Sequence, residues 1–323
     1  MNVYLLEELS TPALDRLDRD RTVIILTVSP LEEHGPHLPV GVDAFTARHF
    51  ATSLAQRLVA ARPGWSAVLA PTLHLGSFTF EAPGTVTVRQ RLVRDVLIDY
   101  GASLARSRFR YIFIANGHGG PGHLAALDEA AAAVCRRHGV TMASLSSHLV
   151  WRFLTGAYAD KIEAVLGRPL SDVERQALRD DAHGGWWETS MMLMLRPELV
   201  DQGYRQLPAR TYAWPARIVR NYPLRDGGPG YVGHPALADP AFAAATSAML
   251  MDEAMALVDG LLDGTVARLH RRSPFFALPF FRTNFWRATL AVGVVATAAA
   301  AGYLSLRTAR PASRGLSSAS GSR

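Results

Sequence analysis

Residues 28–45 read Val-Ser-Pro-Leu-Glu-Glu-His-Gly-Pro-His-Leu-Pro-Val-Gly-Val-Asp-Ala-Phe. They follow an apolar run at 22–27 that predicts a buried strand. The stretch packs two glutamates, two histidines and one aspartate among three prolines and two glycines. Because this density of proline and glycine excludes a helix, we expect a polar loop at the C-terminal end of a strand.

The acidic and imidazole groups of this loop are placed to meet in one pocket. In extended backbone, side chains two apart share a face, so Glu32 and His34 point together while Glu33 points away. Gly41 lets the chain bend, which allows Asp43 to return to the same pocket. Two carboxylates and an imidazole predict a site for a divalent metal ion. The alternative is a polar loop with hydrogen-bonded histidines.

The charge is unevenly distributed along the 323 residues. Residues 271–323 hold eight arginines and no acid, so the net charge of +6 leaves the preceding body at −2. A nearly neutral body argues against a nucleic-acid-binding surface. Lys161 is the only lysine, which excludes a lysine nucleophile elsewhere. With Cys135 as the only cysteine, an internal disulfide and a thiolate metal cluster are both impossible, and a reducing compartment fits.

Apolar runs alternate with helical patterns along the body. This alternation predicts an α/β fold with a mainly parallel central sheet covered by helices on both faces. Active sites in such sheets lie outside the carboxyl ends of the strands. The predicted strands are 22–27, 66–70, 111–115 and 140–145, and the predicted helices include 13–18, 44–62, 90–107, one ending at 138, one ending at 195, and 241–262.

Two further polar clusters accompany the first. Residues 116–123, Asn-Gly-His-Gly-Gly-Pro-Gly-His, follow a predicted strand, and their glycines let backbone and ligand approach closely around His118. Residues 180–190, Asp-Asp-Ala-His-Gly-Gly-Trp-Trp-Glu-Thr-Ser, open a helix. His183 and Glu188 are too far apart around a helix to share a face, but both can reach one pocket if the glycines between them lie in the loop.

A dinucleotide site is the main competing interpretation. Gly117, Gly119 and Gly122 satisfy the Gly-x-Gly-x-x-Gly spacing between a strand and a helix. That interpretation also expects an acid at the end of the next strand, yet residues 144–148 read Ser-Leu-Ser-Ser-His. Pro121 inside the turn argues against it as well. The Gly-x-Ser-x-Gly elbow of serine hydrolases does not occur in the sequence.

Taken together, the clusters predict a two-metal centre. Three carboxylates and two imidazoles from three loops suit two Zn²⁺, Mn²⁺ or Fe²⁺ ions bridged by one carboxylate. Two ions about 3.5–4 Å apart would ionise a bridging water and polarise a carbonyl. His183 would then supply the proton for a departing nitrogen. The predicted ligands are Glu32, His34, Asp43, His118 and Glu188.

The three clusters resemble the signature blocks of the creatininase (creatinine amidohydrolase) family. They are Glu-Glu-His-Gly-Pro-His-Leu-Pro-Val-Gly-Val-Asp at 32–43, Asn-Gly-His-Gly-Gly at 116–120 and Asp-Ala-His-Gly-Gly-Trp-Trp-Glu-Thr-Ser at 181–190. Pro-Gly-Thr at 83–85 and Gly-Tyr-Val-Gly-His-Pro at 230–235 resemble two weaker blocks. The resemblance implies a three-layer α/β/α sandwich, a two-metal centre and hydrolysis of C–N amide bonds. It also implies a ring-like homo-oligomer, commonly a hexamer.

The resemblance assigns roles to individual residues. Glu32, His34, Asp43 and His118 fall on metal-ligand positions, with Asp43 as the bridge. Glu188, also a ligand, and His183 fall on catalytic positions, and the substrate-binding positions are Gly84, Thr85, Gly119, Gly120, Asp181 and Trp186.

The sequence departs from the family pattern at several positions. Creatinine hydrolases of the family carry a glutamate where this chain has Gly120, which argues against creatinine as the substrate. Glu33 stands where glutamine is usual, and the segment before 83–85 lacks the usual histidine and has Glu81 nearby.

The end of the chain predicts a membrane anchor. Residues 288–306 are 19 residues without a charge, and as a helix they would reach roughly 28 Å, close to a bilayer core. Arginines flank the run and aromatic residues gather at its near end, as interfacial anchors do. The alternative is an alanine-rich helix buried against the body. The predicted domains are a hydrolase body at 1–270, a linker and interfacial segment at 271–287, the transmembrane helix at 288–306 and a disordered tail at 307–323.

A single-pass C-terminal anchor does not by itself determine on which side of the membrane the body lies. Four arginines lie on each side of the span, so the positive-inside rule favours neither orientation. The acidic N-terminus lacks the basic start and long apolar centre of a signal peptide, which predicts a cytoplasmic body.

Three functions are considered. The first is a membrane-tethered, metal-dependent amidohydrolase that acts on a small or cyclic amide. The second is a peptidase that trims a redox-peptide precursor of the mycofactocin type. The third is a tail-anchored scaffold without activity, which the presence of all five predicted ligands and His183 argues against.

Overall fold

One parallel sheet forms the centre of the body. The computed structural model describes residues 2–217, 219–267 and 273–308. Its strands are β1 (Val3–Leu5), β2 (Thr22–Thr27), β3 (Ser66–Leu69), β4 (Tyr111–Ala115) and β5 (Thr141–Ser144), in the order β1-β3-β2-β4-β5 with every pair parallel. The predicted α/β class and parallel sheet are confirmed. The edge strand β1 was not predicted, because three residues are too few to show a period.

Helices connect and cover the strands. Short 3₁₀ helices occur at Leu6–Glu8, Pro197–Leu199, Gln202–Gln206, Tyr222–Gly227, Pro235–Leu237 and Pro279–Phe281. The α-helices are α1 (Thr11–Asp15), α2 (Val42–Ala61), α3 (Gln90–Arg106), α4 (Pro121–His138), α5 (Ser146–Leu154), α6 (Ala159–Leu166), α7 (Asp172–Asp180), α8 (Trp186–Leu195), α9 (Trp214–Arg217), α10 (Pro240–Leu262), α11 (Pro274–Ala277) and α12 (Phe285–Thr308).

The central strand β2 is buried on both faces, which is why its sequence is a continuous apolar run. Side chains alternate across the sheet. Ile24 and Leu26 therefore pack into a cluster with residues of α3 and α4, whereas Val23 and Ile25 pack into a second cluster with residues of α2 and α10. The result is the three-layer α/β/α sandwich that the sequence predicts.

Parallel strands place the polar loops side by side. The loop after β2 and the loop after β4 start side by side at the C-terminal ends of these adjacent strands, where the Val28 amide donates to the Ala115 carbonyl at 3.0 Å. The Gly117 amide donates to Ser29 Oγ at 2.9 Å. The helix α2 begins at Val42, two residues earlier than predicted, so Asp43 lies in its first turn. A carboxylate is favoured there by the helix dipole.

Residues 273–283 pack on the outer surface of α4. The Ser273 amide donates to the buried carboxylate of Asp128 at 2.8 Å, and the Thr283 amide donates to Glu129 at 3.2 Å. The Gln90 side chain donates to the Phe281 carbonyl at 2.7 Å. Part of the predicted linker is therefore held by hydrogen bonds, while its first residues, 271–272, lie outside the described chain.

The chain divides into two compact units, residues 1–283 and residues 284–323. In the second unit, Phe285–Ser305 has a mean hydropathy of 1.6 and none of its most apolar stretch is buried. Pro240–Leu262 is also long and apolar enough to cross a membrane, but 61% of its stretch is buried, as in the core helix of a soluble body. The predicted disordered tail falls largely on residues 309–323, outside the described chain. The predicted domain boundaries stay predictions.

We expect two truncations to differ in stability. Removal of residues 285–323 should leave the unfolding temperature of the body unchanged, because the apolar stretch of α12 is not buried. Removal of 273–323 should lower the free energy of unfolding by about 1–3 kcal/mol, because the carboxylate of Asp128 loses the Ser273 donor. Calorimetry of both proteins measures the difference, and equal unfolding temperatures would contradict it.

Candidate metal centre

Five predicted side chains converge at the C-terminal ends of the central strands. His34 Nε2 lies 3.3 Å from Asp43 Oδ1 and 3.5 Å from Glu188 Oε2. His118 Nδ1 lies 3.0 Å from Glu32 Oε2 and 3.2 Å from Asp43 Oδ2. The two oxygens of Asp43 therefore face one imidazole each, and the five side chains form two three-residue sets that share Asp43. A third set joins Glu32 and His34 to His183.

The two histidines of these sets are oriented by backbone carbonyls. His34 Nδ1 lies 2.9 Å from the Glu32 carbonyl oxygen, and His118 Nε2 lies 3.1 Å from the Ser77 carbonyl oxygen. A carbonyl only accepts, so each of these nitrogens carries the proton and donates it. In the neutral tautomer the other nitrogen of each ring then presents its lone pair to the carboxylates, as in histidines that bind metals.

Several atoms of the cluster are buried without a hydrogen bond. Glu32 is 0% exposed, and His34 and Asp43 are each 1% exposed. Among the residues that the structure describes, Glu32 Oε2, Asp43 Oδ2 and His34 Nε2 have no hydrogen-bond partner. Buried polar atoms of this kind are costly unless they are paired or coordinate a metal. Carboxylate oxygens and imidazole nitrogens are ligands that Zn²⁺, Mn²⁺ and Fe²⁺ accept, so the residues fit two divalent cations.

The charges of the cluster are strongly coupled. Although burial lowers the pKa of His34, the carboxylates of Glu188 and Asp43 raise it to about 10. Burial also opposes the charged form of His118, yet Glu32 and Asp43 hold its pKa well above the usual value. Burial raises the pKa of Glu188 to about 7. The carboxylates thus attract positive charge, and a divalent cation that replaces the histidine protons would release them.

His183 stacks against the cluster, but its pKa is lowered, whereas those of His34 and His118 are raised. Its ring lies 4.1 Å from that of His34, and its Nε2 donates to the Glu33 carbonyl at 2.6 Å. Burial and the positive charge of His34 hold the pKa of His183 well below the usual value. A neutral imidazole whose Nε2 carries the proton has its other nitrogen free to accept one. His183 must therefore gain a proton before it can donate one to a departing group.

Two supporting elements were not identified from the sequence. The Phe80 amide donates to Glu32 Oε1 at 2.6 Å, from the same loop that supplies the Ser77 carbonyl. Asn116 donates from Nδ2 to the His118 carbonyl at 2.6 Å and accepts the His118 amide at 3.1 Å. The position of an asparagine directly after a strand could have predicted its role. The backbone groups of the Ser77–Phe80 loop could not be predicted, because they do not depend on residue type.

The predicted substrate-binding residues differ in position. Gly119 and Asp181 line a cavity together with His183 and Glu188. Asp181 also accepts the backbone amides of the first turn of α8, at 2.7 and 2.8 Å. Trp186 is 2% exposed and stacks on Phe242 in the core, with ring centroids 4.1 Å apart.

Its neighbour Trp187 faces the cavity instead. The choice between adjacent tryptophans depends on the rotation of α8, which the sequence does not reveal.

The other predicted positions have structural contacts. Thr85 Oγ1 accepts the Glu33 amide at 3.0 Å and donates to the Phe80 carbonyl at 2.9 Å. Gly84 has a φ of +93°, which favours glycine. A Cβ on Gly120 would lie 2.4 Å from His118 Nε2, so a larger residue there would displace the imidazole.

The chain is similar to known proteins both in sequence and in fold. The profile of the family Creatininase, described as creatinine amidohydrolase, matches residues 7–258. The chain belongs to the creatininase family.

Among relatives, it is 29% identical over 279 residues to a mycofactocin precursor peptide peptidase of Mycobacterium ulcerans, covering 84% of this chain and 94% of that protein. Solved structures agree in fold. A mutant creatininase complexed with creatine has a TM-score of 0.58 at 21% identity, covering 80% of this chain and 98% of that one.

A creatininase in a manganese form has a TM-score of 0.56 at 22% identity, covering 80% of this chain and 96% of that one. A mutant creatininase of zinc–zinc type is also similar. These identities show the fold alone.

We expect Asp43→Asn to lose both ions. Each ion would lose a charged oxygen from the only carboxylate that faces both histidines of the cluster described here. Metal content, measured by mass spectrometry after reconstitution with Mn²⁺ or Zn²⁺, should fall from near two ions per chain to near none. Glu33→Gln is the matched control, because Glu33 is a partly buried carboxylate whose oxygen accepts the Gly35 amide instead. One ion retained by Asp43→Asn would remove Asp43 as the bridge.

Proposed function

We propose that this chain is a metal-dependent amidohydrolase that cleaves a C–N amide bond. The observation that carries the proposal is the position of Asp43, whose two oxygens face His34 and His118 at 3.3 and 3.2 Å. Membership of the creatininase family supports it. Two divalent cations held by the cluster would act as Lewis acids toward the amide carbonyl and the attacking water.

The protein's own residues handle the proton. The neutral His183 ring takes a proton from the attacking water on the nitrogen that Glu33 does not occupy, and its Nε2–H stays on the Glu33 carbonyl. The imidazolium then protonates the departing nitrogen. Glu188 is held by the Gly184 amide at 2.5 Å and faces His34, so it stabilises positive charge at the edge of the cavity.

The amide bond of a precursor peptide is a second candidate substrate. The relative from M. ulcerans is named a mycofactocin precursor peptide peptidase and is matched over 94% of its length, which supports a peptidase role for this chain. Gly120 argues against creatinine, because the family's creatinine hydrolases have a glutamate there. The inactive-scaffold hypothesis has less support, since all the predicted ligands converge.

A substrate screen tests the proposed activity. The Mn²⁺- or Zn²⁺-loaded protein should hydrolyse at least one member of a panel of cyclic amides, formamides and short peptides. A chelator should abolish the reaction and the metal should restore it. Hydrolysis that survives complete metal removal would contradict the proposal.

We expect His183→Ala to lower kcat by about 10²- to 10⁴-fold, as removal of a general acid–base residue does. Metal content should be unchanged, because the two sets that share Asp43 are complete without His183, whose only set, with Glu32 and His34, lacks Asp43. The exposed His138, at the end of α4, provides the control variant His138→Ala. Metal lost together with activity in His183→Ala would instead make His183 a ligand.

We further propose that α12 anchors the body to a membrane as a single-pass span. Its exposed apolar surface supports this placement. The protein should remain with membranes after alkaline extraction, whereas a chain that ends at residue 284 should not. The cytoplasmic side of the body and the homo-oligomeric ring stay predictions, which protease digestion of sealed vesicles and sedimentation of the detergent-solubilised protein would test.

A further inference from the structure

An apolar cavity of about 110 Å³ adjoins the metal cluster. His183, Glu188 and Asn116 contribute polar groups to its wall. Most of the remaining wall is apolar and comes from α2, α5, α8 and α10, including Phe50, Leu54, Leu149, Phe153, Trp187 and Leu250. A group inside the cavity can therefore touch both the apolar wall and the residues beside the cations.

Apart from the second nitrogen of His183, the polar groups considered for this wall are already engaged. Both oxygens of Asp181 accept backbone amides of α8. Asn116 holds the His118 backbone, and Glu188 faces His34. A charged or strongly polar occupant would lose its hydration without gaining a partner on the apolar side. An apolar occupant would gain contact over most of its surface.

The aromatic part of the wall is held in place. The rings of Phe50 and Trp187 are stacked, with centroids 6.4 Å apart and planes 10° from parallel. Phe153 contacts Trp187 at 5.3 Å between centroids. The indole nitrogen of Trp187 donates to Thr246 Oγ1 at 3.1 Å, which fixes the ring. A rigid aromatic surface favours a flat or branched apolar group over a small one.

We propose that this cavity binds a bulky apolar side chain, aromatic or branched, on the carbon next to the scissile amide. The proposal rests on the proposed hydrolase function and deepens it by naming the substrate class. The cavity is the specificity pocket, and its polar end delivers the amide to the cations and to His183. The competing explanation is a gap in the packing that binds nothing.

Binding to the metal-loaded protein tests the cavity without catalysis. We expect 3-phenylpropionate to bind at least 10-fold more tightly than propionate in calorimetry, since even one extra methylene in a hydrophobic pocket gives roughly a 10- to 200-fold preference. Equal affinities would overturn the proposal. If phenylpropionate binds more tightly but no amide is hydrolysed, the cavity assignment stands and the proposed function fails.

A kinetic comparison shows whether the apolar side chain lies on the acyl side or on the amine side of the scissile amide. The peptide pair Phe-Gly and Ala-Gly places the variable side chain on the acyl side, and the pair Gly-Phe and Gly-Ala places it on the amine side. One pair should show a preference of about 10- to 200-fold in kcat/KM for phenylalanine. Hydrolysis of both pairs without any preference would overturn the proposal.

Two variants connect the preference to the cavity. Ala254→Phe, in the wall on α10, should reduce the phenylpropionate-to-propionate affinity ratio at least 10-fold. Ala248→Phe, at an exposed position of the same helix, is the matched control and should keep it. If Ala254→Phe does not fold, Leu149→Ala serves as the test. It removes contacts from the cavity wall and should also lower the phenylpropionate-to-propionate affinity ratio. An unchanged ratio in the folded variants would overturn the proposal.

Discussion

The buried carboxylate of Asp43 between two imidazoles is the constraint on which the rest of this structure depends. Three carboxylates share one pocket with His34 and His118, and Glu32 and Asp43 are almost completely removed from water. Carboxylates this close together need positive charge between them, unless one of them is protonated. Protons on the histidines meet this need in the protein alone, and divalent cations would meet it better because each carries two charges. The fold brings the five side chains to one place, and the bound charge stabilises them there.

Close backbone approach makes that meeting possible. A Cβ on Gly117 would lie 2.3 Å from the Asp43 carbonyl oxygen, and a Cβ on Gly184 would lie 2.5 Å from the His34 carbonyl oxygen. The glycines of the second and third clusters thus let those loops contact the first cluster directly. Gly184 also has a φ of +57°, which turns the chain into α8 and presents its amide to Glu188. A Cβ on either glycine would collide with the backbone of Asp43 or of His34 and so displace a side chain of the cluster.

Local rules predicted the parts of the site that depend on local geometry. The alternation of extended backbone correctly separates Glu32 and His34 from Glu33, and the continuous apolar run correctly predicts β2. Features that depend on contacts between distant segments could not be read in this way. The Ser77 carbonyl, the rotation that buries Trp186 and exposes Trp187, and the cavity between four helices all arise from packing across the chain. The strand β1 was not predicted, because an edge strand of three residues carries too few side chains to show a pattern.

Gly120 and Glu188 each lie beside one histidine of the cluster, Gly120 beside His118 and Glu188 beside His34. With a Cβ at position 120 the ring of His118 could not keep its present place, because the two would be 2.4 Å apart. A third carboxylate comes from α8, where Glu188 reaches His34 from the first helical turn. Glu188 also lines the apolar cavity, so it belongs both to the cluster and to the cavity wall. If the cluster holds cations and the cavity holds part of a substrate, as proposed above, a change in the wall near α8 would alter both.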